Sequence, residues 1–302
     1  MHGVLVIAKP AGPTSHDVVA LVRRLAATRR IGHGGTLDPF ASGVLPLFLG
    51  GATRLVEYHL ADDKAYRATI CFGATSTTDD LDGELTPVEA PAPTRDAVEG
   101  ALAAFLGRQS QQPPVYSAVQ VGGRRAYAMA RAGEAVDLPS REVEFHALDL
   151  IEWNDRDAER PIAVVDVRCS AGTYVRALAR DLGARLGCGA YLGALVRSAS
   201  GPFTLDGAHS LDEIRAASAD GGPEGVRALL LPSDTGLDAM PAIRLTPGEI
   251  ADAFQGRFVR PESGLHGTPD DAPLRLTDDA GTIVGMGRRD GTRIAPTKML
   301  PR

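Results

Sequence analysis

The stretch IGHGGTLDPFASGVLPLFLGGATRL, residues 31–55, sets one acidic side chain, Asp38, among six glycines in an otherwise apolar segment. A carboxylate there is a turn residue, a metal ligand or a nucleophile. Asp before Pro is a common loop pair, which favours a turn. A metal site needs several oxygen ligands, or histidine and cysteine in company, and only His33 lies close in sequence. A phosphate loop is excluded because GxxxxGK[ST] is missing and no lysine falls between Lys9 and Lys64. Against a simple turn stand the glycines at 32, 34 and 35, which let backbone approach a ligand, and the run GVLPLFLG, which offers buried support behind. Apolar surroundings raise the pKa of an aspartate, and a nearby arginine that kept it ionised would leave it poised for covalent chemistry.

Outward from this segment the pattern mixes strands and helices without regular β-α-β alternation, which gives an α+β class. GVLVIAKP reads as a buried strand ended by proline, and TSHDVVALVRRLAATRR as a helix with Ser15 at its N-cap and Val18, Val22 and Leu25 on its apolar face. KAYRATICFG reads as a strand, TSTTDDLDGE as a polar loop, and TRDAVEGALAAFLG as a helix from Thr94 to Gly107. REVEFHALDLIEW and PIAVVDVRCS read as strands, and TYVRALARDLGARLG as a helix closing at Gly187. Near 232–241 the texture becomes proline-spaced, suggesting a linker. Two or three short strand candidates follow around the loop ESGLHGTPDDAP, which is expected to be mobile. The division expected is a domain over 1–235 and a small β-rich appendage over 240–302.

At 302 residues, 44% hydrophobic and 23% charged, the composition is that of a soluble folded protein. The N-terminal apolar run is too short for a signal peptide or a membrane span, so a cytoplasmic protein is expected. Cys71, Cys169 and Cys188 show neither CxxC nor Cys/His spacing, which argues against disulfides and structural zinc. Net charge is −6, but unevenly spread: residues 1–54 carry six basic against two acidic side chains, and residues 202–238 two against seven. Binding to nucleic acid depends on that distribution rather than on the total.

Five blocks in order, KPAGPTSHDVV (9–19), GHGGTLDPFASGVLPLFLGGAT (32–53), KAYRA (64–68), GTYVRALARDLG (172–183) and LGALVRSASGPF (192–203), resemble the bacterial tRNA pseudouridine-55 synthase family. The resemblance implies a mixed-sheet catalytic domain with a PUA-like RNA-binding appendage. It implies an isomerase that detaches one uracil in the T-loop of tRNA and rejoins it through C5, with no cofactor, no metal and no obligate protein partner. By position, Asp38 matches the catalytic aspartate, Tyr66 the tyrosine that packs on the target base, and Arg176 the arginine paired with the aspartate. Leu195 matches an apolar residue of the base pocket and His33 the histidine that holds the flipped-out loop. Lys9, in the first block, and Asp80, in the segment GATSTTDDLDG (73–83) where Asp80, Asp82 and Gly83 fit the family, are expected to be substrate-binding residues.

A base within a stacked loop must be extruded before it can be attacked, and Tyr66, His33 and Leu195 supply stacking and apolar contact in return. A bidentate Arg176 would keep Asp38 ionised and aimed. Attack on C6, attack on C1′ and assistance to a glycal all remain open for Asp38, as does the C5 proton acceptor, since a phenol of ordinary pKa is a poor base at neutral pH. Gln120 and Thr77 depart from the family's frequent lysine and aspartate. Two other classes fit parts of the sequence: an RNA-binding module without turnover, which has no need of Asp38, and a metal-assisted hydrolase using Asp38 and His33, which lacks a third ligand. A basic face of Arg23, Arg24, Arg29, Arg30, Arg124 and Arg125 is expected to meet RNA phosphate.

Overall fold

A computed structural model describes the chain apart from Ala118, Ala135, His266 and Arg302 and the side chains of Val121, Arg125, Ala128 and Arg131. The chain opens with β1 (Gly3–Lys9), α1 (Ser15–Leu25), β2 (Ile31–His33) and β3 (Ser42–Leu49). A 3-10 turn (Gly50–Leu55) and α2 (Val56–Leu60) lead to β4 (Lys64–Phe72) and a hairpin of β5 (Ala74–Ser76) and β6 (Leu85–Pro87). Next come α3 (Arg95–Ala103), β7 (Gly107–Gln111), the two-residue strands β8 (Gln120–Val121) and β9 (Arg124–Arg125), and α4 (Ala126–Arg131). The long strands β10 (Arg141–Asn154) and β11 (Ile162–Cys169) precede α5 (Val175–Leu186), β12 (Ala190–Ser200), β13 (Phe203–Thr204), β14 (His209–Ser210) and α6 (Leu211–Arg227). The C-terminal unit holds β15 (Ala242–Arg244), α7 (Pro247–Phe254), β16 (Pro273–Thr277), β17 (Ile283–Asp290) and β18 (Arg293–Met299).

The large sheet runs β14-β1-β3-β12-β4-β11-β10-β7, with β2 on β3 and β13 on β12. The β1/β14 and β3/β12 pairs are parallel and the others antiparallel, so the sheet is mixed and the class is α+β. The apolar runs of β1 and β3 follow from burial on both faces. Leu5, Ile7, Leu45, Leu47 and Leu49 enter the main core with α1, α3, α5 and α6, whereas Val4, Val6, Val44 and Phe48 enter a second cluster with Phe203. Pro46 has no N–H to offer, and it falls between the residues of β3 that register with β12 (Ser42, Gly43) and those that register with β2 (Leu47–Leu49).

Several local expectations change. The N-cap of α1 is Thr14, in a capping box with Asp17, and not Ser15. Ser15 is buried with its hydroxyl turned inward, toward Leu37. The helix ends at Leu25 rather than Arg30, because Ala27 takes a left-handed φ of 46° and turns the chain into β2. The helix opening after Thr94 stops at Ala103, and Gly107 begins a strand. The segment 232–241, read as a linker, is pinned: Leu237 is buried with Leu55, Ile283, Met286 and Leu300, and Arg275 grips Asp234 at 3.1 Å. In the loop after Pro261, Arg289 donates to the carbonyls of Leu265 and Thr268; His266 lies outside the described residues.

Gly43 (φ 110°) sits where any Cβ would overlap the main chain of Arg197 on the neighbouring strand β12. Gly43→Ala is therefore expected to destabilise the protein by about 3 kcal/mol, from overpacking together with backbone strain, read as a lower urea midpoint at unchanged slope.

Candidate active site

Two strands of the sheet, the loop between β2 and β3 and the start of α5 converge on one cleft of about 540 Å³. Asp38 and Leu37 come from the loop between β2 and β3, Tyr66 from β4, Leu195 and Arg197 from β12, and Tyr174, Val175 and Arg176 from the entry to α5. Since β12 pairs with β3 on one side and β4 on the other, Tyr66 stands directly opposite Arg197 while Gly43, at the start of β3, stands on the far side of the same residue.

The Asp38 loop is held from several directions. The Ser15 hydroxyl donates to the carbonyl of Leu37 (3.0 Å) and accepts from its N–H (2.9 Å). The Lys9 ammonium, 1% exposed, donates to the carbonyls of Pro10 and Pro13 (2.8 Å each) and Pro39 (3.3 Å). Arg197, fully buried, donates to Gly35 O (3.1 Å), Thr36 O (3.3 Å) and Val44 O (2.7 Å). These contacts restrain the main chain on both sides of Asp38. Burial lowers the Lys9 pKa to about 8 against the opposing pull of Asp38.

Arg176 Nε lies 3.0 Å from Asp38 Oδ2, and its Nη1 lies 3.3 Å from Asp80 Oδ2. The expected bidentate pairing with Asp38 does not form. The remaining nitrogens are committed elsewhere, Nη1 to Thr78 O and Nη2 to Tyr116 O (2.9 Å each), and the Nε–H is not aligned as a hydrogen bond. Charge rather than a fork holds the carboxylate. Asp38 is 36% exposed, open to the cleft on one side. Removal from water lifts its carboxyl above the ordinary range; Arg176 and Lys9 pull it back, and Asp80 pushes it up. Burial likewise raises the Tyr66 phenol, with Arg197 opposing, so the free site holds a neutral tyrosine at pH 7.

Of the residues singled out in the sequence, Asp38, Tyr66, Arg176 and Leu195 line the cleft together. Asp80 and Lys9 do not: both are buried in the wall behind, where Asp80 faces Arg176 and Lys9 ties the proline loops. His33 also stands back. Its Nδ1 accepts from Gly35 N–H at 3.3 Å, and its ring meets His16 edge-on at 5.9 Å, so His16 rather than His33 lines the cleft. Sequence reasoning missed Arg197, Tyr116, Tyr127 and Tyr174. Arg197 carried a legible signal: it shares a strand face with Leu195, two residues earlier, within a sheet that buries both faces. Among the described residues, no group of three or more His, Cys, Asp or Glu side chains could hold a metal ion.

The TruB pseudouridylate synthase N-terminal domain matches residues 23–175, and the tRNA pseudouridylate synthase B C-terminal domain matches residues 176–238. The chain belongs to the TruB family of pseudouridylate synthases. The tRNA pseudouridine synthase B of Pseudomonas aeruginosa (strain UCBPP-PA14) is 41% identical over 302 residues, covering 99% of this chain and 96% of that one. That of Synechococcus elongatus (strain ATCC 33912 / PCC 7942 / FACHB-805) is 44% identical over 290 residues, covering 95% and 94%. The fold is shared with a chain of an H/ACA RNP solved with a substrate RNA containing 2′-deoxyuridine, at a TM-score of 0.72 and 23% identity, covering 99% of this chain and 85% of that one. The boundary between the two TruB family segments falls at the start of α5, inside the large-sheet unit and between Val175 and Arg176.

Because the Asp38 pKa is raised, an activity that needs its carboxylate is expected to show an acid limb above the usual carboxylate range. Arg176 favours the carboxylate, so weakening it raises that pKa further. Arg176→Lys is expected to move the acid limb of kcat/KM to higher pH and to lower kcat about 100-fold, checked by pH-rate profiles of both proteins.

Proposed function

We propose that this TruB-family chain converts uridine 55 in the T-loop of tRNA to pseudouridine, with Asp38 as the nucleophile, after extrusion of the base into the cleft. The observation that carries the reading is the Asp38–Arg176 ion pair, which shares with Tyr66 and Leu195 a cleft of about 540 Å³, roomy enough to admit an extruded nucleotide. The reaction breaks the C1′–N1 bond, rotates the uracil and forms C1′–C5; the C5 proton is lost and N1 gains one. Atoms and electrons balance within the substrate, so no cofactor is demanded. Each route open to Asp38, at C6, at C1′ or through a glycal, needs the carboxylate form, which is what Arg176 and Lys9 favour. Tyr66 stacks on the extruded base, and Arg197 beside it supplies the charge that would stabilise a phenolate if the C5 proton passes there.

In this reading residues 1–235 are the catalytic domain and 240–302 an RNA-binding appendage, and His33 acts through the His16 ring it supports. The T-arm meets the protein along a basic face. Arg23, Arg24, Arg29 and Arg30 are exposed and have no ion-pair partner among the described residues. Arg124 is less available, forming a bidentate pair with Glu134 at 2.8 and 2.7 Å, and the Arg125 side chain lies outside the described residues. Three free thiols suit a reducing compartment, the cytoplasm.

Incubated with an unmodified tRNA transcript in EDTA, the protein is expected to place pseudouridine at position 55 alone, and Asp38→Asn to place none while binding the same RNA. Pseudouridine mapped elsewhere, or an active Asp38→Asn, would overturn the assignment. Affinity for that transcript is expected to fall with salt, and replacing Arg23 and Arg24 with alanine to reduce the slope of log K against log salt by about 1 for each phosphate that is no longer neutralised. An unchanged slope would remove those residues from the interface.

A further inference from the structure

The α5 helix delivers Tyr174 and Arg176 to the cleft, yet no side chain caps it: Tyr174 occupies the N-cap position without a capping bond from its own ring. The restraint comes from another element. Gln111, the last residue of β7 and 3% exposed, accepts the Tyr174 N–H on Oε1 (2.8 Å) and donates from Nε2 to the Tyr174 carbonyl (3.1 Å). One buried amide thus satisfies both main-chain groups of the residue at which α5 begins, as a neighbouring strand would. The same Tyr174 carbonyl also receives the first helical hydrogen bond, from Leu178 N–H at 3.2 Å.

The chain beyond Gln111 continues along α5. Arg180 Nη2 donates to Gln112 O (2.8 Å) and Arg176 Nη2 to Tyr116 O (2.9 Å), so the segment 111–116 and the helix are fastened at three places over two turns. Arg176 lies only two residues past the locked position. Its guanidinium must reach Asp38, Asp80, Thr78 O and Tyr116 O together, and a small shift of the helix entry would break that set. We propose that Gln111 is a positioning residue for the isomerisation: its amide sets the entry of α5 and thereby the placement of Arg176 against Asp38. The inference rests on the function proposed above and adds a residue with no contact to substrate.

The consequence is specific. Asp38 is faced by Arg176, Lys9 and Asp80, and only Arg176 depends on α5. Loss of the amide lock lets Arg176 retreat, which raises the Asp38 pKa. Gln111→Met keeps the shape and removes both hydrogen bonds. It is expected to lower kcat about 10- to 100-fold with KM for tRNA changed less than about threefold. It is also expected to move the acid limb of kcat/KM upward by several tenths of a pH unit. Thr94→Ala, which removes the N-cap of α3 away from the cleft, is the comparison: it should lower the melting temperature and leave the limb in place.

If Gln111→Met does not fold, Gln111→Asn, the same amide on a shorter stem, carries the test with the same direction of shift. A wild-type protein that forms pseudouridine beside a folded Gln111 variant with an unmoved acid limb would overturn the positioning role alone. A wild-type protein that forms none would overturn the proposed function, and the inference with it.

Discussion

The pairing of the buried Arg176 with Asp38, which is open to the cleft on one side, is the constraint around which the large-sheet unit is arranged. A carboxylate taken out of water reverts to its neutral form unless a cation stands beside it, and a buried arginine left alone is equally costly. Each partner comes from a different part of the chain, one from the β2–β3 loop and one from α5, so the pair exists only when the sheet between them is complete. The surrounding contacts read as a consequence. Ser15, Lys9 and Arg197 fasten the loop, and Gln111, Thr78 O and Tyr116 O fasten the helix and its arginine.

Much of this was legible in the sequence, for physical reasons that differ by residue. Asp38 stood out because a lone carboxylate in an apolar, glycine-rich run has few stable fates. The strands β1, β4, β10 and β11 declared themselves through apolar runs or alternation, and α5 through its period and terminal Gly187. The family blocks then joined Asp38, Tyr66, Arg176 and Leu195, which the fold does bring to one cleft.

What escaped was decided by tertiary contact. Ser15 looks like a cap from its neighbours, and only the position of Leu37 reveals that its hydroxyl serves another loop. A bidentate Arg176 was the natural expectation for one carboxylate; two carboxylates and two carbonyls share the guanidinium, and no local pattern encodes that competition. Lys9 and Asp80 sit in segments that fit the family, but shared identity does not separate a side chain that lines the cleft from one that holds the wall. α7, short and proline-led, and the three-residue β15 gave no periodic signal long enough to read.

The central place of β12 bears on how the molecule comes into being. Residues 190–200 bridge β3 and β4, which are laid down more than a hundred residues earlier. Until they emerge from the ribosome the two halves of the sheet have no shared strand, and Arg197 is not there to grip the Gly35 and Thr36 carbonyls. Closure of so distant a pairing is entropically costly and slow. The cleft around Asp38 is therefore assembled late in synthesis, and a nascent chain that has exposed Asp38 and Tyr66 but not β12 carries two of its lining side chains without the cleft.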